Sequence, residues 1–214
     1  MRTLNIALTK GRLEKYTVEL LEKAGINCAP IINKGRKLII ELDGLYNVVF
    51  AKAADVVTYV EYGVADVGVV GKDTLMEMNR AVYELLALGF GNCRFALAAL
   101  KGTDFYSGCS IKTIATKYPE VSRRFFESKQ MDVEIVKIEG SVELAPILKL
   151  ADGIVDIVET GATLRENGLE VVEFFADISA RLIANSASLK LKKREIENLT
   201  NKLRIDNENN QSRQ

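Results

Sequence analysis

Ile154-Val155-Asp156-Ile157-Val158-Glu159-Thr160-Gly161-Ala162-Thr163-Leu164 joins a β-branched apolar run to a Thr-Gly turn and the first apolar position of a following segment. A short run of Ile and Val reads as a buried strand, and a Thr-Gly turn opening a helix makes the unit α/β. Asp156 and Glu159 stand near the carboxyl end of that strand, where open α/β sheets bind ligands. At the helix start the N–H groups of Thr160, Gly161, Ala162 and Thr163 point outward and favour an anion by about 0.3–1 kcal/mol when exposed. Thr160 and Thr163 add hydroxyl donors, and Gly161 lets the backbone approach closely. The carboxylates can accept from sugar hydroxyls, so a ribose 5-phosphate fits both halves. An N-capped helix with no ligand fits the same residues.

Upstream, Val64-Ala65-Asp66-Val67-Gly68-Val69-Val70-Gly71-Lys72-Asp73-Thr74-Leu75 runs through the same order of Ala-Asp, strand, Gly turn and Thr-Leu helix start. This echo suggests two related lobes. Strand and helix patterns alternate throughout. Residues 4–8 read as a strand, and residues 12–24 as a helix with Leu13, Tyr16, Leu20 and Leu21 on one face, ended by Gly25. Residues 37–42 and 46–51 flank Asp43-Gly44 as a hairpin. Later segments predict helices over 142–150 and 189–203. The turn-rich stretch 101–110 marks a candidate lobe boundary, and residues 206–214, without a hydrophobic anchor, are predicted to be a disordered tail.

With 214 residues, 48% hydrophobic and 27% charged, the chain can bury a substantial core. Lys plus Arg and Asp plus Glu number 29 each, so no net field draws it to nucleic acid or an anionic membrane. No apolar run reaches the length of a membrane span, and Lys10 and Arg12 come too early for a secretory segment, so a cytoplasmic location is expected. Cys28, Cys93 and Cys109 are widely spaced, which argues for reduced core thiols over a disulfide framework or a zinc site. Histidine is absent, which excludes Ser-His and Cys-His nucleophile pairs and histidine acid–base chemistry.

Cations cluster early. Lys10, Gly11 and Arg12 follow the first strand, Gly35-Arg36-Lys37 opens another, and Lys52 follows a third. Their strand-end positions suit a polyphosphate, although lone surface cations are ordinary. Gly71-Lys72 is not a P-loop, since Asp66 and Asp73 stand where that motif needs Gly and Ser or Thr. No dinucleotide fingerprint follows the first strand.

The order Leu8-Thr9-Lys10-Gly11-Arg12, Gly35-Arg36-Lys37-Leu38, Gly68-Val69-Val70-Gly71-Lys72-Asp73, Glu139-Gly140-Ser141-Val142-Glu143 and the Asp156 segment resembles the ATP phosphoribosyltransferase family, over about residues 4–203. The length resembles the family's short form. The resemblance implies a two-lobed α/β fold like type II periplasmic binding proteins, with an active-site cleft between lobes. It places residues 1–90 plus 180–205 in a nucleotide-side lobe and 91–179 in a phosphoribosyl pyrophosphate-side lobe. It also implies the first step of histidine biosynthesis: N1 of ATP attacks C1 of phosphoribosyl pyrophosphate and displaces pyrophosphate. By this analogy Asp156, Glu159, Thr160, Gly161, Ala162, Thr163 and Ser141 bind the donor. Lys10, Gly11, Lys52 and Asp73 bind ATP, and Arg12 and Arg36 have the catalytic task of stabilising the leaving group. Lys52 stands where many members carry arginine, which would replace a bidentate donor by a point charge. The implied cofactor is Mg²⁺ held mainly through substrate phosphates, with no protein metal ligand. The implied partner is a regulatory subunit similar to histidyl-tRNA synthetase, in a hetero-oligomer that is an octamer by family analogy.

Two rival readings stand beside this one. A solute-binding domain of the same fold would need neither the Thr160 turn nor the cations. A base-salvage phosphoribosyltransferase usually places adjacent acids before its turn, whereas Asp156 and Glu159 are separated by two apolar residues.

Overall fold

The strands in chain order are β1 (Leu4–Thr9), β2 (Ile39–Leu42), β3 (Tyr46–Ala51), β4 (Val67–Gly71), β5 (Tyr83–Ala87), β6 (Cys93–Leu100), β7 (Lys112–Thr116), β8 (Val133–Lys137), β9 (Gly153–Val158), β10 (Leu169–Ile178) and β11 (Ala180–Ala184). The helices are α1 (Arg12–Lys23), α2 (Ala29–Ile32), α3 (Ala53–Glu61), α4 (Lys72–Met78), α5 (Pro119–Ser128), α6 (Leu144–Ile147), α7 (Ala162–Glu166), α8 (Ser186–Leu191) and α9 (Lys193–Gln211). This computed structural model describes residues 2–108 and 110–211, with side chains as far as Arg204. Two compact units divide them: the first takes the chain up to Gly91 and again from Ser179, and the second takes Asn92–Ile178.

Unit 1 holds a six-stranded sheet in the order β2-β3-β1-β4-β11-β5, and unit 2 a five-stranded sheet in the order β10-β6-β9-β7-β8. Read from its other edge, the second sheet repeats the first without β2. In each, a central strand (β1 or β7) lies parallel to both neighbours, β3 and β4 or β8 and β9. In each, the next strand outward (β11 or β6) is antiparallel, as is its own outer neighbour. The echo between residues 64–75 and 150–164 therefore has a topological counterpart.

The counterpart extends to hydrogen bonds. In unit 1, Asp66 donates its N–H to the Asn5 carbonyl at 2.8 Å, and its Oδ2 accepts the Asn5 N–H at 2.8 Å. In unit 2, Asp152 makes the same exchange with Thr113, again at 2.8 Å in both directions. At the other end of each strand pair, Thr9 Oγ1 donates to the Val69 carbonyl at 2.8 Å and Thr116 Oγ1 to the Val155 carbonyl at 2.7 Å. Side-chain bonds at both ends thus pin the parallel register.

Packing follows the sequence pattern. The helix α3 buries Val56, Val57 and Val60 against β4. Gly68 makes this approach possible, because a Cβ there would come within 2.8 Å of both Val56 Cγ1 and Val60 Cγ2. The hairpin predicted at Asp43-Gly44 joins β2 to β3 through two residues with positive φ, 53° and 65°. Asn185 caps α8 by accepting the Ser188 N–H at 2.7 Å, and Ser188 Oγ donates to Asp66 Oδ1 at 2.8 Å.

Several expectations are corrected. Residues 101–108 lie inside unit 2, between β6 and β7, because Gly and Ser mark a turn without marking a domain edge. The predicted helix over 142–150 shrinks to α6, followed by a turn in which Lys149 has φ 59°. The predicted helix over 189–203 becomes α8 and α9, broken at Lys192, whose Nζ is drawn to Asp66 Oδ2 at 2.7 Å and the Thr3 carbonyl at 2.8 Å. The backbone of α9 continues through Gln211, so 206–211 is helical where a disordered tail was expected; 212–214 lie outside the described residues. Cys28 is buried, and burial together with Glu22 and Asp43 pushes its thiol up to about 11. Cys93 is only half-buried, and Cys109 lies outside the described residues.

The two carboxylate clamps differ in surroundings, and their energetics should differ accordingly. Asp66 is 5% exposed and also holds Ser188 and Lys192, whereas Asp152 is exposed. Asp66→Ala should cost about 3–5 kcal/mol because it strands a cation and two donors, and Asp152→Ala about 1 kcal/mol. Urea unfolding of both variants checks this, and equal losses would contradict it.

Candidate active site

In unit 2 the strand β9 delivers Asp156 to the sheet's carboxyl edge, and the chain then turns through Thr160 and Gly161 into α7. A pocket of about 260 Å³ lies there, lined by Glu143 and residues 156–164. Gly161 takes φ 71°, a left-handed conformation that strains any residue with a Cβ. A side chain there would also meet Arg165 Nη1 at 3.0 Å. Arg165 reaches back across the turn and donates to the Thr160 carbonyl at 3.0 Å, while Thr160 Oγ1 accepts the Ala162 N–H at 3.3 Å. The turn is therefore held in shape from within. Thr160, Ala162 and Thr163 are exposed. Because α7 has only five residues, an anion here would be held by individual N–H and hydroxyl donors more than by a macrodipole.

The pocket wall is acidic. Burial pushes the Asp156 carboxyl above the usual aspartate range and nearby Glu143 adds to this, against the Ile157 N–H and the Lys117 ammonium. Glu143 lines the pocket and Ser141, also expected there, does not. Ser141 is exposed ahead of α6, and Glu143 stands at the start of that helix. Glu143 and Arg165 were both missing from the sequence-based site. The spacing of Arg165, four residues after Gly161, was the available signal for a residue reaching back over the turn.

In unit 1 the parallel register brings the N-terminal cations to one edge. Thr9 pairs with Ala51 and the Lys10 N–H donates to the Ala51 carbonyl at 2.9 Å, so exposed Lys10 and Lys52 leave adjacent strands side by side. Gly11 has φ 93° with open space around it, so the backbone turn, not crowding, calls for glycine. Arg12 begins α1 and is exposed. Ile39 pairs antiparallel with Val49, which sets the start of β2 beside the end of β3 and brings exposed Arg36 to the same edge. Asp73 follows β4, with its carboxylate folded over Gly71 where a Cβ would lie 2.1 Å from Oδ1. Lys72 is turned away to an ion pair with Glu84. The predicted residues thus fall into two groups, Lys10, Gly11, Arg12, Arg36, Lys52 and Asp73 in unit 1 and the Asp156 segment in unit 2.

Comparison with known proteins shows the family. The chain is 58% identical over 205 residues to an ATP phosphoribosyltransferase of Clostridium kluyveri, covering 95% of this chain and 94% of that one. A solved ATP phosphoribosyl transferase (HisG:HisZ) complex from Thermotoga maritima matches with a TM-score of 0.83 at 34% identity, covering 97% of this chain and 100% of that one. A periplasmic VFT2 domain of Bordetella pertussis BvgS matches with a TM-score of 0.58 at 11% identity, covering 95% and 87%, a likeness of fold alone. The family model for ATP phosphoribosyltransferase (HisG) matches residues 52–205, and with that match the chain belongs to the ATP phosphoribosyltransferase family.

Proposed function

We propose that the chain transfers phosphoribosyl from phosphoribosyl pyrophosphate to N1 of ATP, with the donor held by unit 2 and ATP by unit 1. The family's reaction is this pentosyl transfer, the first step of histidine biosynthesis. The observation that carries the residue assignment is the unit 2 pocket, where a braced Thr-Gly turn meets half-buried Asp156. In this reading the donors of residues 160–163 hold the 5-phosphate, and Asp156 and Glu159 accept from the ribose hydroxyls. Lys10, Gly11, Lys52 and Asp73 hold the nucleotide.

Adenine N1 has a free lone pair, so attack at C1 requires no base, consistent with a chain that lacks histidine. The C1–O bond to pyrophosphate breaks as the C1–N1 bond forms, and the electron pair leaves on pyrophosphate oxygen. Arg12 and Arg36 neutralise that charge, and an aimed donor of this kind is worth about 10²–10³ in rate. Alignment of two bound reactants supplies the rest. Among the described residues no group of three or more Asp, Glu or Cys side chains is placed to hold a metal. In this reading Mg²⁺ would be carried by the substrate's phosphates and water, supplying further charge neutralisation. Among the described residues no helix is long and apolar enough to cross a membrane, and the reading places the enzyme in the cytoplasm. The Thermotoga maritima neighbour is a HisG:HisZ complex, and we extend that arrangement to this chain as a hetero-oligomer with a regulatory subunit.

A spectrophotometric assay with ATP, phosphoribosyl pyrophosphate and Mg²⁺ tests the reading, with a triphosphate-bearing product expected; transfer to a free base instead would refute it. Histidine should inhibit only when the regulatory subunit is added, and inhibition of the lone chain would argue against that partner. Arg36→Ala should lower kcat about 10²-fold with little change in ATP affinity, whereas Thr163→Ala should mainly raise the donor Kd. Asp156→Asn separates binding from stability. Since burial raises the folded carboxyl, its stabilising contribution is full below the ordinary aspartate range and is lost as pH rises through the raised value. The variant should therefore melt higher than the parent at pH 7, lose that gain on acidification, and bind the donor more weakly.

A further inference from the structure

The pocket in unit 2 has an electrostatic imbalance. Its lining includes three carboxylates, Glu143, Asp156 and Glu159, and no Lys or Arg. Arg165, outside that lining, donates to the Thr160 carbonyl and keeps its positive charge beside the turn, at the end read here as the 5-phosphate site. A phosphoribosyl donor carries a phosphate at one end and a pyrophosphate at the other, so the carboxylates of this wall repel the pyrophosphate end unless a second cation stands beside them.

One does. Thr116 pairs with Val155 in the parallel β7–β9 ladder, so Lys117 and Asp156 are the next positions on adjacent strands. The strand end that presents Lys117 is fixed on both sides. Thr116 is fully buried, its Oγ1 donates to the Val155 carbonyl at 2.7 Å and accepts the Tyr118 N–H at 2.9 Å, and the Tyr118 ring packs edge-on against Phe95 at 5.0 Å. Lys117 itself is exposed, and no hydrogen bond or ion pair among the described residues holds its ammonium. Its charge is felt by Asp156 and by Glu139, but Glu139 already has Lys137 at 2.8 Å.

We infer that Lys117 is a substrate-binding residue of unit 2 that holds the pyrophosphate of the phosphoribosyl donor. This rests on the donor reading of the Asp156 segment proposed above. If the turn at 160–163 takes the 5-phosphate, a cation on the adjacent strand beside Asp156 meets the other end of the ribose, where the hydroxyls are neutral and only the pyrophosphate calls for an ammonium. Lys117 then balances the acidic wall in the bound state, in addition to the role of Arg12 and Arg36 during departure.

Calorimetric titration of the full chain with phosphoribosyl pyrophosphate, inorganic pyrophosphate, ribose 5-phosphate and ATP, each with Mg²⁺, tests this. Lys117→Gln should weaken phosphoribosyl pyrophosphate and pyrophosphate about ten- to a hundredfold, the scale of one charge-assisted hydrogen bond. It should leave ribose 5-phosphate and ATP within about twofold, and Lys117→Arg should retain most of the affinity. Unchanged donor affinity in a folded Lys117→Gln chain overturns the inference, and an equal loss for ribose 5-phosphate overturns the assignment to pyrophosphate. A parent chain that binds ATP and no donor would instead remove the donor reading, and Lys117 with it.

Discussion

A carboxylate at the head of a parallel strand governs this molecule. Asp66 grips both the N–H and the carbonyl of Asn5, and Asp152 does the same to Thr113, so each central strand pair starts in one register only. Everything at the opposite edge inherits that choice. A slip of one residue would turn each strand's side chains to the other face. It would also separate Lys10 from Lys52 and Asp156 from Lys117. The threonine bonds at Thr9 and Thr116 lock the far ends, which makes the edge where charged side chains gather a rigid one.

That edge explains how a chain with no net charge and no histidine can handle polyanions. Parallel strands send every strand-to-helix connection out on the same side, so cations remote in sequence become neighbours through geometry alone. In unit 1 the result is a basic rim; in unit 2 it is an acidic wall whose central member, Asp156, is half-buried and resists ionisation. Such an environment suits chemistry in which fixed charges and alignment do what proton transfer does elsewhere.

Much of this was legible in the sequence because it depends on local grammar. The Val-rich run of β4, the Ile-Val run of β9, the left-handed Asp43-Gly44 pair and the Gly161 turn each announce themselves within a few residues. What escaped reading depends on register or on competition between local and tertiary partners. Glu143, just ahead of the single-turn helix α6, lines the pocket where Ser141 was expected, a placement that local pattern does not encode. Lys192 broke an otherwise continuous amphipathic helix because a buried carboxylate on a strand distant in sequence drew its ammonium inward. Lys117 looks like any surface lysine until the β7–β9 ladder sets it beside Asp156.

The position of β11 has a consequence for synthesis on the ribosome. It lies between β4 and β5, yet it is made after the whole of unit 2. Unit 2 is continuous in sequence and can close as soon as it emerges, while the nascent first unit waits with two unpaired sheet edges, an aggregation-prone interval. Burial of Leu182, Ile183 and Ala184 in that gap, followed by the docking of Asn185 and Ser188, completes the first-begun unit only after unit 2 has been made.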